Sequence, residues 1–380
     1  MLENEQIRTP KIKCAQLTAL LILSRLFIIL IFLPNTKAPV GGSVAILSIV
    51  VGFFLTFLAM LPLYFLLRQY PGMDLQQVAK QISPRIGKIS ALLFYLVCII
   101  VAAETVAQFT LFLTSAVYPQ ANTFWVSIVF CASVFYLVYL GLEAISRMSS
   151  ILLAAVIFSS LLVGLGLWRF VDTLNLISPF YEGLGTIAYS STLYFTQNIE
   201  LIAMMLLISN LRSPSGKKLF IRYHSITSII LLIVSFAAVT VLGSYGETRS
   251  FPIYTLFILS GSNVYYRFDY IVVAIWVAVS MVRTSIYLLL AVRMLRELGI
   301  NLKERWLLLI NTFIVLLLST VSVSYIRIFQ RIYQFLASGV PGYGLLILFP
   351  ILLLFLRWKQ QAGKKETGKK ETGMPEGEEA

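Results

Sequence analysis

Four ionisable residues stand where they are most expensive to keep. Arg25, Glu104, Glu200 and Arg283 each fall inside an apolar run long enough to cross a bilayer, where a charge costs about 2.5–3.5 kcal/mol even on lenient scales. Such groups face a bundle interior or a water-filled cavity and pair there. Two bases and two acids can neutralise one another, which leaves two readings open: fixed ion pairs holding helices together, or the lining of a solute or water pathway. One pair can do both. Polar neighbours add to the set: Ser24 beside Arg25, Gln108 one turn beyond Glu104, Thr196 and Asn198 ahead of Glu200, and Thr284 beside Arg283. In a binding role, Arg25 or Arg283 is expected to meet a ligand carboxylate. Thr196, Asn198 and Thr284 would supply polar contacts, and Glu104 and Glu200 would balance charge or hold an ammonium group.

The elements that must position these residues are membrane helices. The chain of 380 residues is 58% apolar and 12% charged, far from the roughly 25% charged content of soluble domains, and this excludes a soluble globular protein. Ten apolar runs, near 15–33, 43–67, 90–117, 122–140, 148–168, 186–208, 219–242, 268–291, 305–325 and 333–356, predict an all-α membrane protein with ten transmembrane helices. Lipid tolerates no unpaired backbone, so each span must be helical. The run at 15–33 is longer than a signal segment and has no small-residue cleavage site after it, so we expect it to be retained.

The net charge of +13 does not point to nucleic acid, because the bases sit in short loops rather than on one folded face. Alternate loops with their flanking ends hold 22 Lys and Arg against 6 in the other set, and this excess predicts that both termini are cytoplasmic. The chain therefore divides into a cytoplasmic tail at 1–14, a ten-helix membrane domain at 15–357 and a disordered cytoplasmic tail at 358–380. That last segment repeats five residues from Gly363 and Gly368 and ends acidic. It reads as a solvated appendage, with lipid-headgroup binding the lesser option.

Three widely spaced cysteines (Cys14, Cys98, Cys131) and one histidine, His224, give no disulfide framework or metal-ligand cluster. We expect no metal and no cofactor. There is no Walker A pattern, no Gly-x-Ser-x-Gly and no His-Glu-x-x-His, so no enzyme is expected. His224 reads as an interfacial residue, and Tyr64, Trp125, Trp168, Trp306 and Trp358 read as belt anchors. Gly339, Pro341, Gly342 and Gly344 predict a kink or close packing in span 10.

Span 6 is the least regular. Pro179, Gly183 and Gly185 precede it, and Tyr194-Phe195-Thr196-Gln197-Asn198-Ile199-Glu200 puts polar side chains at its centre. In a five-plus-five arrangement its counterpart is span 1, with Ser24-Arg25 at similar depth. Interruptions at matching places mark transporter-type sites, because a broken helix exposes backbone donors and acceptors. Neither segment has a central Gly or Pro, so two continuous helices with hydrogen-bonded polar residues are the alternative.

The order and spacing of several pieces resemble the B subunits of spore germinant receptors, permease-like proteins of the amino acid/polyamine/organocation superfamily. These pieces are Phe32-Leu33-Pro34, the Tyr70-Pro71-Gly72 turn followed by Asp74, Gly141-Leu142-Glu143-Ala144-Ile145-Ser146-Arg147, Glu200, and Arg267-Phe268-Asp269 followed by Trp276. The resemblance spans roughly residues 8–357. It implies a ten-helix inverted-repeat bundle in the inner membrane of a dormant spore. It also implies a small nutrient, amino-acid-like, bound between helices 1, 3, 6 and 8, and signalling with A-type and C-type subunits. The chain departs from the family pattern at Arg25, where a small residue is common, and at Ile199-Glu200, where Gly-Glu is common. Arg25 could therefore pair with a ligand carboxylate or plug the site with Glu104. Asp269 is expected to pair with Arg267. An ion-coupled transporter of amino acids or polyamines, and a structural anchor for partner subunits, are the rival functions.

Overall fold

A computed structural model describes residues 11–31, 42–176, 183–213, 216–249, 251–261, 269–325, 327, 331 and 343–371. Among these the regular structure is helical apart from one parallel bridge between Ile12 and Leu211. The helices are α1 (Cys14–Ile31), α2 (Gly42–Ala59), α3 (Leu61–Gln69), α4 (Leu75–Ile82), α5 (Pro84–Phe112), α6 (Thr123–Tyr139) and α7 (Leu142–Leu167). They continue with α8 (Leu184–Thr196), α9 (Glu200–Leu207), α10 (Gly216–Leu242), α11 (Pro252–Ser260), α12 (Asp269–Glu297), α13 (Glu304–Ser324) and α14 (Phe349–Glu371).

Eight helical segments are long and apolar enough to cross a membrane, and Cys14–Ile28 and Thr123–Tyr139 are shorter apolar helices. The protein is therefore multi-pass. The segment Leu184–Asn210, which contains α8 and α9, has 83% of its most apolar stretch buried, against 11% for Leu142–Phe170. The irregular segment thus lies at the centre of the bundle, and α7 is far more exposed.

Local sequence explains several boundaries. Gly72 takes φ +81° in the Tyr70-Pro71-Gly72 turn, a conformation that L side chains rarely adopt. Asp74 then caps α4: its side chain accepts from Gln77 N at 2.9 Å, and Gln77 Oε1 accepts from Asp74 N at 3.0 Å. Pro84 opens α5 at a position where its missing N–H costs nothing. Gly52 on α2 lets α8 approach closely, since a Cβ there would lie 2.5 Å from Tyr194 Cδ1.

One end of the bundle collects basic residues. The segment Lys11 to Lys13, α4, and the basic end of α12 meet there, with Lys80 bonded to Glu297 at 2.8 Å and Arg357 lying 4.4 Å over the Tyr70 ring. We refer to it as the basic end. α14 continues helical through Lys359 to Glu371, the first part of the tail expected from 358; residues 372–380 lie outside the described residues. Its Lys, Glu, Gln and Ala residues are good helix formers, and the apolar half of α14 supplies the nucleus.

His224 also differs from expectation. It is fully buried, with its ring stacked against Phe53 (4.8 Å) and Phe220 (5.5 Å) and its Nε2 3.1 Å from the Phe53 carbonyl. An imidazole between aromatic faces behaves as a core residue rather than an interfacial one. Within the region of Gly339 to Gly344, only Tyr343 and Gly344 are described, and Gly344–Leu348 forms a π-turn. Pro179, Arg267 and the Asp269 side chain lie outside the described residues.

Candidate functional site

The site forms where span 6 breaks. α8 ends at Thr196 and α9 begins at Glu200. In a continuous helix Leu201 N would donate to the Gln197 carbonyl; here it donates to Asn198 O at 3.1 Å, and Ile202 N donates to Ile199 O at 2.9 Å. The Gln197 carbonyl instead accepts from Arg25 Nη1 of α1, and the Asn198 side-chain oxygen accepts from Tyr223 OH of α10. Neighbouring helices therefore hold the break open from both sides. Arg25 sits at the negative C-terminal end of α8 and Glu200 at the positive N-terminal end of α9, so each charge complements a half-helix dipole.

Glu200 is the centre of the cluster. Its Oε1 accepts from Ser24 Oγ at 3.1 Å and pairs with Arg283 Nη1 of α12. Its Oε2 lies 3.8 Å from Arg25 Nη1 and has no hydrogen-bond partner among the described residues. Arg283 also donates to the Ser24 carbonyl at 2.7 Å, to Ser24 Oγ at 3.2 Å and, through Nε, to Thr105 Oγ1 of α5 at 3.2 Å. Its guanidinium carbon lies 5.7 Å and 5.2 Å from the Phe27 and Tyr287 rings. One arginine thus ties α1, α5, α9 and α12 together.

All nine residues singled out in the sequence are buried, none more than 5% exposed. The structure divides them into groups. Ser24, Arg25, Glu200 and Arg283 meet directly, and Asn198 shapes the break beside them. Glu104 lies near Gln108 and feels the charge of Arg283; among the described residues Arg25 meets Gln197 and Glu200 and forms no ion pair with Glu104. Thr196 and Thr284 bond within their own helices, to Thr192 and Leu193 carbonyls and to the Ser280 carbonyl. Their hydroxyls thus do not join the cluster. α1 is continuous through Ser24-Arg25, so the span 1 counterpart of the break does not occur; no Gly or Pro interrupts its 18 residues.

A search of the curated proteins finds no match. A family model described as spore germination protein, the spore permease family, matches residues 11–325, more than four-fifths of the chain. The chain belongs to the spore permease family. The matched segment contains the whole of the Arg25, Glu200 and Arg283 cluster. Membership brings a germinant-receptor-type membrane permease with it, a family of receptors and transporters rather than enzymes.

Sequence reasoning missed Thr105, Tyr223 and the backbone of Gln197. Thr105 and Tyr223 are unremarkable by type in an apolar helix, and only their three-dimensional neighbours reveal them. It also missed a further buried charge, Asp74, quoted for the family resemblance but not for a site. Asp74 is fully buried and pairs with Arg293 of α12. Among the described residues no group of three or more His, Cys, Asp or Glu could hold a metal ion.

Proposed function

We propose that this protein is the permease-like, solute-sensing subunit of a spore germinant receptor. It binds a small amino-acid-like solute at the break between α8 and α9 and signals with A-type and C-type partner subunits. The observation that carries the reading is Arg25. Its Nε has no hydrogen-bond partner among the described residues, and its Nη1 is too far from Glu200 Oε2, at 3.8 Å, for a hydrogen bond. A solute carboxylate arriving at Arg25 can therefore be bonded without breaking a strong contact. Arg283, by contrast, is committed to Glu200, Ser24 and Thr105. Glu200 Oε2 offers the matching acceptor for an ammonium group, with Glu104 near Arg283 to balance charge. In this reading the basic end faces the cytoplasm of the spore core, both termini are cytoplasmic, and the protein lies in the spore inner membrane.

The same geometry supports a second reading, an ion-coupled transporter of amino acids or polyamines, because a broken central helix is the usual seat of transported solutes. Reconstituted protein, offered a mixture of labelled proteinogenic L-amino acids, separates the two. Retention without gradient-driven accumulation supports the sensor, and accumulation driven by a proton or sodium gradient supports the transporter. A purely structural anchor would show neither.

A further inference from the structure

α9 is held at both ends by one helix. At its start, Glu200 pairs with Arg283. At its finish, Arg293 Nη1 donates to the Leu206 carbonyl at 2.9 Å and to Asn210 Oδ1 at 3.2 Å. Both arginines belong to α12, ten residues apart, about 15 Å at the usual helical rise. All eight residues of α9 are buried, so the half-helix is a packed rod of about 12 Å.

The lower end carries a lock. Arg293 Nη2 pairs with Asp74, and Ser209 Oγ donates to Asp74 Oδ2 at 2.8 Å. The chain just beyond is pinned to the segment that leads into α1: Ile12 N donates to Asn210 O at 2.9 Å, Arg212 N to Ile12 O at 3.1 Å, and Lys11 Nζ to Ser209 O at 2.9 Å. α1 and α9 are thus tied at two levels, by Ser24 and Arg25 at Glu200 and by Ile12 beyond Asn210.

We infer that α9 is a connecting rod: loosening its grip on Arg283 at the membrane centre releases the Asp74 and Ile12 contacts at the basic end. A rod buried along its whole length cannot shift at one end alone, because packed cores rearrange between discrete states rather than deform smoothly. The coupling is reciprocal, so weakening the lower lock must loosen the break around Leu201 and Ile202. It concerns the chain itself and needs no solute, so it stands or falls separately from the sensing role.

Hydrogen exchange on the purified full chain in lipid nanodiscs tests it. In Glu200→Gln, the Ile12 and Arg212 amides should exchange faster by at least about fivefold, the low end of ordinary site-to-site coupling. In Asp74→Asn, the Leu201 and Ile202 amides should do the same. Tyr95→Phe, which removes a bond to Asn311 on α13, should change neither pair. Unchanged exchange at Ile12 and Arg212 in Glu200→Gln, with α13 still protected, overturns the inference. Should Glu200→Gln lose protection in α13 as well, Arg283→Lys provides the milder perturbation, and the same two amides decide.

Discussion

Replacing Arg283 by Met removes the most connected side chain of the core. It deletes the ion pair to Glu200 and the bonds to the Ser24 carbonyl, Ser24 Oγ and Thr105. The neutral bonds contribute little, since hydrogen bonds between membrane helices average about 0.6 kcal/mol. Thr105 also keeps its bond to Val101 O, and Ser24 keeps Glu200. The large term is the orphaned carboxylate, because stripping one partner from a buried pair costs about 3–5 kcal/mol. Arg25, 3.8 Å from Oε2, remains as a partial counter-charge, which places the expected loss near the low end, about 3 kcal/mol. Changing both partners, Arg283→Met with Glu200→Gln, removes the orphaned Glu200 carboxylate; Arg25 loses its more distant partner but keeps the Gln197 carbonyl, and replacing a buried pair as a unit is often close to neutral. The double variant should therefore be more stable than Arg283→Met alone by about 2 kcal/mol. Reversible unfolding of purified protein in mixed micelles by increasing dodecyl sulfate measures both. A single variant within about 1 kcal/mol of the parent, or a double variant less stable than the single, would refute the view that Glu200 depends on Arg283.

Arg25→Ala should reduce retention of labelled L-amino acids by tenfold or more, since a hydrogen bond to a charged group contributes about 1.5–3 kcal/mol; equilibrium dialysis against the parent reads it. Gly52→Leu should destabilise by about 1–3 kcal/mol through overpacking, because the new Cβ meets Tyr194 at 2.5 Å; unfolding in mixed micelles reports the loss. Asp74→Ala loses the cap of α4, about 0.5–2 kcal/mol, together with the partner of Arg293. Asp74→Asn keeps a good capping side chain, so it should be the more stable of the two in the same unfolding assay.

Much of the core chemistry was legible because charge inside an apolar run is rare and costly. Arg25, Glu200 and Arg283 stand out for that reason alone, and they do meet. The break of span 6 was legible only as polar crowding. Its cause is tertiary: Arg25 takes the Gln197 carbonyl that Leu201 would have used, and no local pattern records a bond across 172 residues. Ser24-Arg25 carried a similar local signal, yet α1 stays helical because its polar groups reach sideways to Glu200 and Gln197 without displacing its own backbone bonds. Thr196 and Thr284 show the opposite limit. A hydroxyl in a membrane helix can satisfy its donor on the preceding turn, as both do, so residue type alone does not say which hydroxyls reach a neighbouring helix. Asp74 was hidden in a polar loop, where an acidic residue is ordinary; its burial and its pairing with Arg293 come from the packing of α4 against the bundle.

Glu200→Gln keeps the size of the side chain and removes the charge on which α1, α9 and α12 converge. The most direct measurement is nutrient-triggered germination of spores carrying this substitution, with immunoblots showing normal abundance in the inner membrane. A lost or shifted nutrient response at normal abundance is the predicted result; an unchanged response would contradict a solute site at the break and return Glu200 to structural ion pairing.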